Sequence, residues 1–386
     1  MKKILFVFGT RPEAIKMAPV VNEFKKDLNN FDTIVAVTAQ HREMLDQVLT
    51  RFGIEPDFDL DLMKHNQDLT SLAGTIINQA GKVIAQEEPN LVIVHGDTTT
   101  AMATSIAAFY QSIQVVHVEA GLRTSTILSP FPEEFNRRVV SVASTINFCP
   151  TELNKINLIS EGKDEQGIFV TGNSAIDALQ LALSENQNSQ HFSEIKNKVG
   201  FDIRDENYIL VTGHRRENQG DKFDSIFRAI SRISNDFKDY KIIYPVHLSP
   251  PVQKQVEKHF NNSKNIRLIS PMDYFEFASV MQHSFFIMTD SGGIQEEAPS
   301  LNIPVVVFRE ETERKEGLKA GTIIMGGVDE DNIYNKCRSL IENEQFYKSV
   351  AFAENPYGSG NSRCIMLDVI DKYLLGESLD EIQKRY

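Results

Sequence analysis

The sequence predicts an α/β protein built on two doubly wound parallel sheets. Short apolar runs alternate with amphipathic segments along almost the whole chain. The alternation runs once, is interrupted by a polar, weakly patterned stretch at 180–198, and then runs again. Unusual polar residues stand where apolar runs end: Arg11, Asp97, Glu119, His214 and Ser291. Ligands of such sheets bind at the carboxyl ends of the strands, and a cleft between two domains would gather all five. The chain has 386 residues, enough for two or three domains. A domain connection is expected within 172–202.

In order, the first strand is expected at 3–8. Pro12 suits the first turn of a helix, and Ile15, Ala18, Val21, Phe24 and Leu28 follow at helical spacing. A strand at 33–38 precedes a helix at 41–52 that Gly53 stops. An irregular loop is expected at 57–66 and a long helix at 70–87. The strand at 91–94 runs through His95-Gly96-Asp97 into a helix opening at 98–100. The strand at 115–118 runs into Glu119-Ala120-Gly121-Leu122-Arg123, and a helix opens at Glu133. Short strands are expected at 146–149 and 168–171.

The second run starts with a strand at 208–212, then Gly213-His214-Arg215-Arg216-Glu217-Asn218 and a helix at 222–237. Strands are expected at 241–246 and 266–269, and a helix at 275–282. The strand at 285–288 leads to Asp290-Ser291-Gly292-Gly293 and a short helix at 294–300. A strand at 305–308 and a charged loop at 309–319 follow. Residues 362–376 carry a last helical pattern.

Composition narrows the function. Net charge is −13 and pI about 5.3, which argues against general nucleic-acid or membrane-surface binding. Cys149, Cys337 and Cys364 are odd in number and in no metal-ligand spacing, as expected of reduced thiols in a cytoplasmic protein. The start has neither the long apolar region nor the cleavage site of a signal peptide. No GxSxG, HExxH or redox-cofactor fingerprint is present.

Each candidate has a plainer reading. Asp97, Glu119, Glu133 and Glu134 suit acid–base chemistry. Asp97 also reads as a carboxylate at a helix start, and Glu133 as an i,i+4 partner of Arg137. His214 reads as an acid–base group, a phosphate partner or a structural loop histidine. Ser291, Gly292 and Gly293 open a helix whose free N–H groups suit phosphate, with Glu297 one turn on for a ribose; a serine-capped helix is the alternative. Arg11, Lys16, Arg215, Arg314 and Lys315 are candidate anion contacts, or solvated cations. Phe277 stacks on a base or fills a core. These residues point to acid–base catalysis on a nucleotide-linked substrate and leave the reaction open.

The motifs closely resemble those of the non-hydrolysing UDP-N-acetylglucosamine 2-epimerases. They are GTRPEAIK at 9–16, QHREMLDQ at 40–47, HGDT at 95–98, HVEAGLR at 117–123, and Pro132-Glu133-Glu134 with Asn136-Arg137. In the second half they are TGHRREN at 212–218, PVH at 245–247, and DSGG at 290–293 with Gln295-Glu296-Glu297. The resemblance implies a GT-B-like fold of two Rossmann-like domains facing across a cleft. They would span 1–172 and 173–360, with a helix at 361–386 returning to the first. It implies a homodimer in the cytoplasm, with no metal or nicotinamide cofactor.

The implied reaction interconverts UDP-GlcNAc and UDP-ManNAc through 2-acetamidoglucal. Asp97, Glu119, Glu133 and His214 fall on catalytic positions, with Arg137 supporting them. Arg11, Lys16, Met272, Phe277, Ser291, Gly292, Gly293, Glu297 and Arg314 fall on nucleotide contacts. Met272 stands where a glutamine is common, and Ser359 where an aspartate is. Gln40, Glu43 and His247 match a region where UDP-GlcNAc acts as activator, although Glu43 and Asn66 depart from the strongly activated pattern.

Overall fold

The computed structural model describes all residues but 39–41, 63–66, 186–187, 219 and 261–262, with the side chains of 42–44 and 216 also outside the description. The described residues divide into two compact units, Met1–Ala178 with Tyr357–Tyr386, and Leu179–Pro356. The divisions fall at 178/179 and 356/357, where the sequence suggested 172/173 and 360/361.

The first unit holds β1 (Lys2–Phe8), β2 (Phe31–Val37), β3 (Phe58–Asp59), β4 (Leu91–His95), β5 (Gln114–Val118), β6 (Ser144–Cys149) and β7 (Ile168–Val170). The second holds β8 (Tyr208–Thr212), β9 (Lys241–Pro245), β10 (Ile266–Ile269), β11 (Phe286–Thr289), β12 (Val305–Val307) and β13 (Ile323–Met325). Strand order is β3-β2-β1-β4-β5-β6-β7 in one sheet and β10-β9-β8-β11-β12-β13 in the other. Every pairing within them is parallel. Each order reverses beside its first strand, where a doubly wound sheet opens its crevice. Both units are Rossmann-like, and the architecture is of the GT-B-like class.

The central strands are apolar throughout because helices cover both faces. Ile4–Phe8 and Leu91–Val94 are buried to within 1%. In the second unit the helix Asp221–Asp236 lays Phe223, Ile226, Phe227, Ile230 and Ile233 on the sheet. Among the described residues, no helix is long and apolar enough to cross a membrane.

The structure corrects several sequence expectations. The polar stretch at 180–198 lies largely within two helices, Ser174–Glu185 and Ser189–Val199. The second buries only His191, Ile195 and Val199, a stripe too narrow to stand out. The loop at 57–66 contains the two-residue β3. The charged loop at 309–319 contains most of a six-residue helix, Lys315–Ala320. Helices at Pro250–Phe260, Glu330–Glu342 and Glu344–Ala351, with β13, had no counterpart in the sequence reading.

The chain's last segment belongs to the first unit, where the helix Ser362–Leu374 packs on the helix Arg11–Lys26. Buried Asp177 holds its start, accepting from the backbone N–H groups of Ser362 and Arg363, each at 3.2 Å, and from Arg363 Nη1 at 3.0 Å.

Candidate active site

In the first unit the site is built at the carboxyl ends of β1, β4 and β5. After β1 the chain turns at Gly9 and Thr10 into the helix Arg11–Lys26. A Cβ on Gly9 would stand 1.9 Å from Thr38 Oγ1, so only glycine fits. Thr10 and Glu13 form a capping box. Glu13 does more than cap. Buried, it accepts from Gly9 N at 3.0 Å, Thr10 N at 2.8 Å and Thr98 Oγ1 at 2.6 Å. It thereby ties the turn after β1 to the one after β4, and burial raises its pKa. The signal was in the sequence, as a Glu three residues after a Thr at a helix start.

After β4, Gly96 adopts φ 65° and Thr98 caps the helix Thr99–Tyr110, which leaves Asp97 in the turn. After β5, Glu119 adopts φ 61°. Only a small minority of residues other than glycine sit there. The turns lie side by side, because His95 pairs with Val118 and Gly96 N donates to Val118 O at 2.8 Å. A Cβ on Gly96 would meet Glu119 Oε1 at 3.8 Å.

Asp97 and Glu119 each have a cation. Lys16 Nζ pairs with Glu119 Oε2, and Arg137 Nη2 with Asp97 Oδ2. Arg137 also reaches Glu134 at 3.1 Å, and Arg138 Nε reaches Glu134 at 2.8 Å. The expected pairing of Glu133 with Arg137 is thus made by fully buried Glu134, whose side chain faces inward from the same turn. Asn136 Nδ2 donates to Asp97 O at 3.0 Å. Burial raises the Asp97 pKa; Arg137 pulls it down, while Glu119 and Glu133 push it up. Arg11 is half-buried at the first position of its helix.

Two histidines that the sequence reading left within motifs stand behind these turns. His117 is fully buried and its Nε2–H donates to Gly96 O at 2.8 Å. Burial lowers the pKa of His117 to about 3 and that of His95 to about 4. Cys149 and Cys337 are buried thiols whose pKa values burial raises, which removes them as nucleophiles at neutral pH.

The second unit holds most of the residues expected to meet a nucleotide, while Arg11 and Lys16 lie in the first. Asp290, directly after β11, is fully buried and accepts from His214 N at 3.0 Å, Arg215 N at 2.8 Å and Asn218 Nδ2 at 3.1 Å. It pins the loop after β8. The His214 ring is partly exposed, its Nδ1 3.7 Å from Asp290 Oδ1, and it stacks on His247 at 5.2 Å and 15°. Burial lowers the His214 pKa; Asp290 opposes this, and His247 and Arg215 add to it. His247, expected in an activator region, is therefore a neighbour of His214.

The helix after β11 starts at Gly292, two residues before the expected Ile294, and gives way to a 3-10 turn at Ala298–Leu301. Ser291 holds the N-cap position, but its side chain makes no capping bond there. Arg314 Nε donates to Glu296 Oε1 at 2.7 Å, and its guanidinium lies 3.1 Å from where a Cβ on Gly292 would stand. The charge run 309–319 is thus not all solvated, since Arg309 also pairs with Glu217 at 2.6 Å. Glu297 accepts from Tyr274 OH at 3.4 Å. Met272 is buried and Phe277 half-buried, on either side of the start of the helix Tyr274–Gln282. Gly293 is open to addition of a Cβ. Gln40 and Asn66 lie outside the described residues, as does the side chain of Glu43.

Two GT-B-like parallel-sheet units, one with paired acids and one with a glycine-rich helix start beside a histidine loop, define a nucleotide-sugar enzyme class. A family model described as UDP-N-acetylglucosamine 2-epimerase matches residues 23–371. A protein of that name from Bacillus subtilis (strain 168) is 47% identical over 372 residues, covering 96% of each chain. One from Campylobacter jejuni is 47% identical over 383 residues, covering 98% of this chain and all of the relative. The crystal structure of UDP-GlcNAc 2-epimerase from Neisseria meningitidis bound to UDP-GlcNAc superposes with TM-score 0.89 at 45% identity, over 96% of this chain and 100% of that one. The chain belongs to the UDP-N-acetylglucosamine 2-epimerase family, a family of isomerases.

Proposed function

We propose that this chain interconverts UDP-GlcNAc and UDP-ManNAc by eliminating and re-adding UDP, without hydrolysis. A carboxylate takes the proton from C2. The C1–O bond to the diphosphate breaks, its electron pair leaves with UDP, and C1=C2 forms to give 2-acetamidoglucal. UDP then attacks C1 while a proton is delivered to the other face of C2. The observation that carries this is the pair of neighbouring turns presenting Asp97 and Glu119, each with its own cation.

The C2–H is weakly acidic, so it needs a positioned base and a stabilised leaving group together. Asp97, Glu119 and Glu133 serve the proton transfers, with Arg137 orienting Asp97. Burial raises the Asp97 pKa against the pull of Arg137, the direction expected of a carboxylate that shares in proton transfer. His214 and the cations Arg11, Lys16 and Arg314 answer charge on the departing diphosphate. Ser291, Gly292 and Gly293 offer it backbone N–H groups. Glu297 takes the ribose, while Met272 and Phe277 take the base. Gln40, Glu43 and His247 are assigned to a second UDP-GlcNAc that activates. The working assembly is a homodimer in the cytoplasm.

Incubation of UDP-GlcNAc in D2O, followed by NMR, tests the reading. Deuterium at C2 with UDP-ManNAc forming is the expected result. Free ManNAc would mean a hydrolysing enzyme, and unchanged substrate would sink both, leaving a glycosyltransferase that needs an acceptor. Glu119→Gln should cut turnover about a hundredfold or more and leave UDP affinity within a few-fold; near-normal turnover removes Glu119 from the reaction.

A further inference from the structure

His95, the last residue of β4, has no part in the reaction as just described. Its ring is 4% exposed, and among the described residues its Nε2 has no hydrogen-bond partner. That atom lies 3.7 Å from Glu119 Oε2. The distance is too long for a hydrogen bond, and a side-chain shift of about 1 Å would make one. Buried polar atoms are nearly always paired. A ring nitrogen left unpaired while facing a carboxylate is therefore suited to a bond made in another state of the site.

The competitor for that oxygen is already in place. Lys16 pairs with the same Oε2, and in the proposed reaction Lys16 also answers the diphosphate. As the ammonium turns to phosphate, Glu119 gives up its ion pair with Lys16.

We propose that His95 is a positioning residue for Glu119, its Nε2–H bonding Oε2 when Lys16 engages the diphosphate. This rests on Glu119 acting at C2. With Lys16 in place, burial keeps the imidazole neutral, its pKa lowered to about 4; Glu119 opposes this and Lys16 adds to it. The exchange keeps Glu119 aimed while freeing the lysine for the ligand.

Two substitutions and one spectrum test it. His95→Gln keeps a neutral N–H near the position of Nε2, and His95→Leu removes it. The Leu variant should lose turnover about tenfold to a hundredfold, with UDP affinity within about threefold of the parent, as for loss of one hydrogen bond to a charged group. The Gln variant should recover most of that loss. A Leu variant within threefold of the parent, or a Gln variant no better than Leu, overturns the proposal. Ring-nitrogen NMR of histidine-labelled parent protein needs no turnover. It should show His95 with its proton on Nε2, and that proton should move downfield on saturation with UDP. A proton on Nδ1, or an Nε2–H indifferent to UDP, overturns the proposal even if epimerisation is normal. Failure of the epimerase reading itself appears separately, as a parent enzyme that leaves C2 unexchanged.

Discussion

His117 makes a prediction that can be worked through in free energy. Its imidazole is buried against the Gly96 carbonyl and has a pKa of about 3, against 6.5 for the exposed side chain. The unfolded chain therefore binds a proton below pH 6.5 that the native state refuses. Stability from this group is fully present above the unfolded value and is lost as pH falls through it towards the folded one. Between pH 7.5 and 5 the loss is about 2 kcal/mol, and the limit reached below pH 3 is about 5 kcal/mol. His117→Gln keeps a donor for Gly96 and does not titrate, so the variant should lose about 2 kcal/mol less than the parent over that interval. Carboxylates contribute equally to both proteins and cancel in the difference. The chain has no tryptophan, so urea unfolding is best followed by far-UV circular dichroism. Because two units need not unfold together, hydrogen exchange of the β4 and β5 amides should accompany it. Parallel pH dependences in parent and variant would refute the argument.

Two further predictions follow from buried carboxylates. Asp290→Asn replaces an acceptor of three N–H groups with a side chain carrying its own NH2. The loop after β8 should loosen and the second unit lose about 2–4 kcal/mol, read as a lower midpoint for its thermal transition; an unchanged midpoint contradicts the assignment. Asp177→Asn removes the carboxylate that caps the helix Ser362–Leu374. Limited proteolysis should then release this segment while β8–β13 stay resistant, at a cost of about 1–3 kcal/mol; cleavage at the parental rate would show that the Asp177 contacts do not hold it.

The sheets were legible because central parallel strands are continuous apolar runs, and both their number of windings and their polar ends follow from that. Several of the elements that escaped have little to bury, although Glu330–Glu342 escaped while burying Ile333, Tyr334, Cys337 and Leu340. Ser189–Val199 buries three residues, Lys315–Ala320 has six in all, and β3 has two. Boundaries such as 178/179 depend on where contacts thin out, which no local pattern encodes. Within the site, motif residues could be named one by one, but partners could not. Asp290 accepts from a loop some 75 positions away, and Glu134 differs from Glu133 only in which way one helical turn faces.

The turns after β4 and β5 show how such partners bear on the proposed chemistry. They are almost the same turn, φ 65° at Gly96 and φ 61° at Glu119, on paired neighbouring strands. At the first, glycine adopts the left-handed conformation without steric cost and leaves room for the carboxylate beside it. At the second, a glycine would remove about 1 kcal/mol of backbone strain, yet a glutamate is present. Its carboxylate is fixed by Lys16 and faced by His95. Strain held at one residue, with a cation on one carboxylate oxygen and an imidazole nitrogen 3.7 Å from it, is difficult to explain as packing. It is the arrangement that the base role proposed for Glu119 requires, in which a carboxylate is aimed before its substrate arrives.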